Sequence, residues 1–114
     1  MQYMLLIHAT EADRTMTEAE LGRIVAAYGA YTEALGKAGA LVSGSRLRPA
    51  ATATRVRIVD GKTQVLDGPY AETKEQLGGY YLIEAPDLDA AIGWAARCPG
   101  ASYGTIEVRP VWQM

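Results

Sequence analysis

Two capped helical segments, each flanked by short β runs, constrain this chain more than any other feature of its sequence. The first helix is predicted to begin after Thr17, which forms a capping box with Glu20, and to end at Gly39. The second is predicted to open at Pro86-Asp87 and to stop at Pro99-Gly100. Strands are predicted at residues 3–8, 40–45, 79–84 and 105–111. The chain is therefore expected to be an α+β protein.

The dipeptide Asp60-Gly61 predicts a β-hairpin between residues 55–59 and 62–66. Val56 and Ile58 alternate with arginines, so one face of the hairpin should be wet. The element order β, α, β, hairpin, β, α, β predicts a ferredoxin-like split βαβ fold with an inserted hairpin. We expect one antiparallel sheet with both helices on one face, and a two-fold dimer that buries the other, apolar face.

Composition narrows the class of protein. The 114 residues fit a single domain, residues 1–114, and 49% apolar content is enough for a core. A net charge of -2, with basic residues scattered among acids, argues against a direct nucleic-acid partner. The lone Cys98 excludes an intrachain disulfide and a multi-cysteine metal site. The opening apolar run is too short for a signal peptide or a membrane span, so we expect a cytoplasmic protein with no membrane partner.

The segment Gly61-Lys62-Thr63 resembles the end of a phosphate-binding loop, but Val56 occupies the position of its first glycine. No pair of histidines stands at metal-ligand spacing. We therefore predict no nucleotide, no metal and no other cofactor.

The loop after the hairpin concentrates polar residues behind a Gly-Pro turn. Asp67 is our first catalytic candidate, because a strand-end carboxylate of raised pKa could act as a general base. The alternative is an Asx-turn, in which that carboxylate only bonds to loop backbone. Tyr70, Glu72 and Lys74 of the same loop are candidate ligand-binding residues.

His8, the only histidine, is the second catalytic candidate, since imidazole exchanges protons near neutral pH. The sequence shows no partner for it, and a lone histidine is more often structural. Arg46 is a candidate ligand-binding residue that could clamp a carboxylate or phosphate together with Arg48; a solvated loop is the alternative. Tyr81, with Tyr28, Tyr31 and Tyr80, could line an apolar pocket, although core or dimer packing explains these tyrosines as well.

The stretch Asp67-Gly68-Pro69-Tyr70 and the residues up to position 81 resemble the DGPF signature of the YCII-related proteins, with Tyr70 in place of the family's Phe. The resemblance continues in residues 1–7, 84–89, 95–99 and 105–111. It implies a dimeric α+β barrel and a frequent link to extracytoplasmic-function sigma factors. Some relatives are thought to use a His in the first helix and an Asp just before the proline that ends the second helix. Here the first helix has no His, and Cys98 precedes Pro99.

Our leading hypothesis is a homodimer whose pocket, between the sheet and loop 67–75, binds a small polar or aromatic metabolite. Arg46 would anchor its anionic group, and acid-base chemistry could transform it. The alternatives are a non-catalytic regulatory partner linked to a sigma factor and a ligand sensor without turnover.

Overall fold

A four-stranded antiparallel sheet carries two helices on one face. The structure is a computed structural model that describes residues 1–10, 17–69 and 74–113. The main sheet contains β1 (Gln2–Ala9), β2 (Leu41–Arg46), β5 (Gln76–Glu84) and β6 (Thr105–Pro110), in the order β2-β5-β1-β6. The helices are α1 (Glu18–Lys37) and α2 (Leu88–Arg97), and β3 (Thr54–Val59) pairs with β4 (Lys62–Asp67). This order confirms the predicted ferredoxin-like fold.

Local chemistry fixes the ends of both helices where the sequence predicts them. The Thr17 hydroxyl accepts the backbone N–H of Glu20 at 3.2 Å, which caps the start of α1. At the other end Gly39 has φ +71°, and the N–H of Ala40 donates to the carbonyl of Leu35, as in a Schellman motif. The Asp87 carboxylate caps α2 by accepting the N–H of Ala90 at 2.8 Å.

The core lies between the sheet and the helices. Residues of β1 are alternately buried and half-buried, as a strand with one covered face requires. Leu5, Leu35 and Ile83 are fully buried at its centre. Burial of each such side chain contributes about 1.5–3 kcal/mol. On the opposite face Met4, Leu6 and Leu82 remain half-buried, because no element of the described residues covers them.

The hairpin forms a separate two-stranded sheet, whereas the sequence predicted one antiparallel sheet. Its turn is as predicted, with positive φ at Asp60 (51°) and Gly61 (73°). Strand β5 is paired on both sides by β2 and β1, and the hairpin does not pair with the edge strands β2 and β6 either. The apolar face of the hairpin is also uncovered: Val56, Ile58 and Val65 are 63%, 64% and 62% exposed.

No helix formed by the described residues combines the length and hydropathy needed to cross a membrane.

Candidate functional site

A cavity of about 430 Å³ lies between α1 and the edge of the sheet formed by β2 and β5. Its size suits a small organic molecule. Ile7, Ile24 and Leu41 give it apolar walls. The first half of α1 stands away from the sheet here, which leaves Val25 at the cavity 55% exposed.

Two glycines on the sheet allow close packing beside the cavity. Gly44 pairs with Tyr81, and Gly79 pairs with Arg46, all on the face that the helices cover. A Cβ at Gly44 would stand 2.8 Å from Cδ1 of Tyr81, and one at Gly79 would stand 2.9 Å from the carbonyl oxygen of Ser45. A side chain at either position would require its neighbours to shift. Glycine at positions 44 and 79 therefore allows β2 and β5 to pack this closely.

Tyr81 separates the cavity from the packed core. Its hydroxyl lies 2.8 Å from Oγ1 of Thr32 on α1, and both residues line the cavity. The ring of Tyr31 packs against the Tyr81 ring edge-on, with centroids 5.3 Å apart. Tyr31 itself lies in the core and donates its hydroxyl hydrogen to the carbonyl of Trp94 at 2.7 Å. Burial raises the pKa of the Tyr81 phenol, so it is neutral at pH 7.

Tyr28 and Tyr103 form a second phenol pair on the cavity wall. The Tyr28 hydroxyl lies 4.0 Å from Sγ of Cys98, and the interaction with Tyr103 adds to the rise of the Tyr28 pKa. Burial raises the pKa of Tyr28 and that of the Cys98 thiol, so both groups are neutral near pH 7. Cys98, the residue before Pro99, therefore contacts Tyr28 of α1 through an uncharged thiol and an uncharged phenol. These two groups do not form an ionised acid–base pair.

Among the described residues that border the cavity, Arg46, the last residue of β2, is the charged one. Within the part of the chain that the structure describes, its guanidinium has no hydrogen bond or ion pair, and no Asp or Glu borders the cavity. The structure thus brings Arg46 and Tyr81 of the predicted ligand-binding residues to one site. Tyr28 and Tyr80 border it too.

His8 lies on the opposite face of the sheet from its neighbours Ile7 and Ala9, which line the cavity. Its Nε2 is 3.1 Å from Oε1 of Glu107 on β6. Arg109 donates to the other oxygen of Glu107, and this hydrogen bond is the main reason that the pKa of Glu107 is lowered. Sequence reasoning missed Glu107 as a partner, because the pairing of β1 with β6 joins distant parts of the chain.

The remaining candidates lie away from the cavity or outside the described residues. Asp67 ends β4 opposite Thr54 and is exposed. Lys74 is exposed and does not border the cavity. Tyr70 and Glu72 lie outside the described residues. The roles assigned to these four residues and to His8 stay predictions.

Thr32, Gly44 and Tyr103 border the cavity but were not predicted as site residues. A polar residue within a helix and a lone glycine within a strand are weak signals, and nothing near Tyr103 in sequence marks it. Among the described residues no three His, Cys, Asp or Glu side chains are placed to hold a metal ion.

The family model of the YCII-related domain matches residues 1–114, the whole chain. An uncharacterized protein of Rhizobium meliloti (strain 1021) is 47% identical over 77 residues. The match covers 66% of this chain and 62% of that protein, so the chain spans less than two thirds of this relative.

Proposed function

The chain belongs to the YCII-related family, and we propose that it binds a small organic anion, a polar or aromatic metabolite, in the cavity between α1 and the sheet. The observation that carries this proposal is the Arg46 guanidinium, which borders an apolar and tyrosine-lined cavity without a described partner. Apolar walls with a few convergent polar groups are typical of small-molecule sites. Arginine suits carboxylates because its planar fork can donate two parallel hydrogen bonds.

We propose Asp67 and His8 as acid–base groups for a chemical transformation outside this cavity, because Asp67 does not border the cavity and His8 lies on the opposite face of the sheet. His8 is supported by its contact with Glu107, since a carboxylate partner orients an imidazole. Asp67 is supported by its position at the start of the polar loop. If Asp67→Asn leaves both ligand binding and turnover unchanged, this residue has no role.

We further propose that the protein is a cytoplasmic single-domain homodimer, an α+β barrel in which the uncovered faces of two sheets pack together. The chain exposes 7836 Å², whereas a compact monomer of its mass should expose about 6,100 Å². Its radius of gyration is 15.9 Å, against about 13 Å for a compact chain of this length. A standard interface buries about 800 Å² per partner, which the excess surface can supply.

Native mass spectrometry after incubation with a bacterial metabolite extract tests the proposal. We expect a dimer that retains or converts a small anion, and we expect Arg46→Gln to lose it. Arg48→Gln is the matched control, because this exposed arginine follows the same strand but does not border the cavity. Equal retention by the wild type and Arg46→Gln would contradict the anchoring role.

A second candidate function is a non-catalytic regulatory protein that acts with an extracytoplasmic-function sigma factor. The exposed apolar face of the hairpin favours it, because such a surface fits a protein partner. A dimer without retained ligand or turnover, together with co-purification of a sigma factor that Val56→Lys abolishes, would favour this function over the first.

A further inference from the structure

The Thr32 hydroxyl determines how Tyr81 can bind a ligand. Oγ1 of Thr32 lies 2.8 Å from the backbone carbonyl oxygen of Tyr28 and 2.8 Å from the Tyr81 hydroxyl. A carbonyl oxygen can only accept, so Thr32 must donate its single hydrogen to Tyr28. This is the usual bond of a helical threonine to the carbonyl four residues earlier.

The remaining hydrogen bond can then run in one direction only. Because Thr32 has no second hydrogen, Tyr81 donates its own hydrogen to Oγ1 of Thr32. The phenol is neutral, since burial raises its pKa, so it has that hydrogen to donate. Towards a molecule in the cavity, the Tyr81 oxygen can therefore only accept a hydrogen bond.

The position of that oxygen is fixed from three sides. Thr32 binds the hydroxyl, the edge-on Tyr31 ring packs against the Tyr81 ring, and Gly44 allows this ring to lie against the backbone of β2. Arg46 lies two residues beyond Gly44 on that strand, roughly 7 Å further along. The cavity therefore has a cation and a separate, fixed acceptor.

Resting on the proposed function, we infer that the cavity selects an anion that also carries a hydroxyl or N–H group, with the anionic group on Arg46 and this donor on the Tyr81 oxygen. A ligand without a donor leaves the half-buried acceptor unpaired. That loss costs about 1–2 kcal/mol, or roughly a tenfold weaker affinity.

Isothermal titration with benzoate, 4-hydroxybenzoate and 4-methoxybenzoate, together with the corresponding 3-isomers, tests this inference. We expect wild-type protein to prefer a hydroxybenzoate over benzoate about tenfold and to disfavour the methoxy compound, which offers no donor. Tyr81→Phe should bind benzoate as before and lose the preference.

Thr32→Val, a nearly isosteric change, distinguishes this inference from a purely structural role of Thr32. Without its acceptor on α1, the Tyr81 hydroxyl can donate to the ligand as well as accept from it, so the methoxy compound should gain affinity and the preference for the hydroxy compound should shrink. Circular dichroism checks that each variant is folded.

Equal wild-type affinity for benzoate and for its hydroxy and methoxy derivatives, or an unchanged preference in Thr32→Val, overturns the inference. Failure of every probe to bind at millimolar concentration also overturns it. In both cases an Arg46-dependent ligand retained in native mass spectrometry would leave the proposed function standing.

Discussion

Gly44 illustrates how one missing side chain shapes both packing and site. A Cβ there would stand 2.8 Å from the Tyr81 ring and 3.0 Å from the carbonyl oxygen of Tyr80. We predict that Gly44→Ala lowers the free energy of unfolding by about 1–3 kcal/mol, because overpacking forces the ring to move. Urea denaturation measures the change.

Gly93→Ala is the matched control for Gly44→Ala. Gly93 lies inside α2, and a Cβ there would meet nothing within 4 Å. Alanine is the better helix former, so this variant should be more stable by up to about 1 kcal/mol. Equal effects of the two substitutions would show that the crowding at Gly44 is unimportant.

Glu107 provides a prediction about pH. The hydrogen bond from Arg109, followed by weaker effects of His8, lowers the pKa of its carboxyl group. A lowered pKa in the folded state contributes stability above the unfolded pKa of about 4.3, and this contribution is lost as the pH falls through the folded value. In a carboxyl ¹³C NMR titration, we expect Arg109→Ala to raise the pKa more than His8→Ala does. An unchanged pKa in Arg109→Ala would contradict this cause.

At the scale of elements, local chemistry was readable from the sequence and long-range packing was not. The Thr17 cap, the Asp87 cap and the Asp60-Gly61 turn each act over a few residues, and all three form where the sequence predicts them. The separate sheet of the hairpin depends on which strands pair across the whole chain, and no local pattern records this.

The candidate site was predictable to a similar extent. Arg46 and Tyr81 were chosen for their chemistry, and they do border one cavity. The Thr32–Tyr81 bond and the His8–Glu107 contact join residues 49 and 99 positions apart. Sequence patterns do not reveal such pairs, because they arise only when helix and sheet pack.

The hairpin itself should be the least stable element in dilute protein. Isolated two-stranded hairpins are marginally stable in water. Gly61 has φ +73°, so Gly61→Ala should cost about 1–2 kcal/mol in the turn. We expect hydrogen exchange of the β3 and β4 amides to accelerate roughly tenfold, while the β1 and β5 amides keep their protection.

Lys62→Ala, one residue beyond the turn glycine, is the control, and it should leave hairpin exchange within about twofold because no positive φ is involved. Equal acceleration in the hairpin and in β1 would mean that the hairpin unfolds only with the whole molecule.

At the scale of the whole molecule, a dimer through the uncovered sheet face should depend on Leu82. This half-buried residue lies between Met4 of β1 and Ser43 of β2 on that face. A two-fold axis places every substitution in the interface twice. Leu82→Lys would therefore remove about 1.5–3 kcal/mol of apolar burial from each protomer and place two like charges in the interface. We expect the dissociation constant of the dimer to rise at least about 100-fold, as measured by sedimentation velocity over a concentration series.

Leu88→Lys makes the same change on the helical side, where the residue is 47% exposed, and should leave the dimer intact. A dimer that tolerates Leu82→Lys but dissociates in Val56→Lys would move the interface from the sheet to the hairpin, and a wild-type monomer at all concentrations would exclude both.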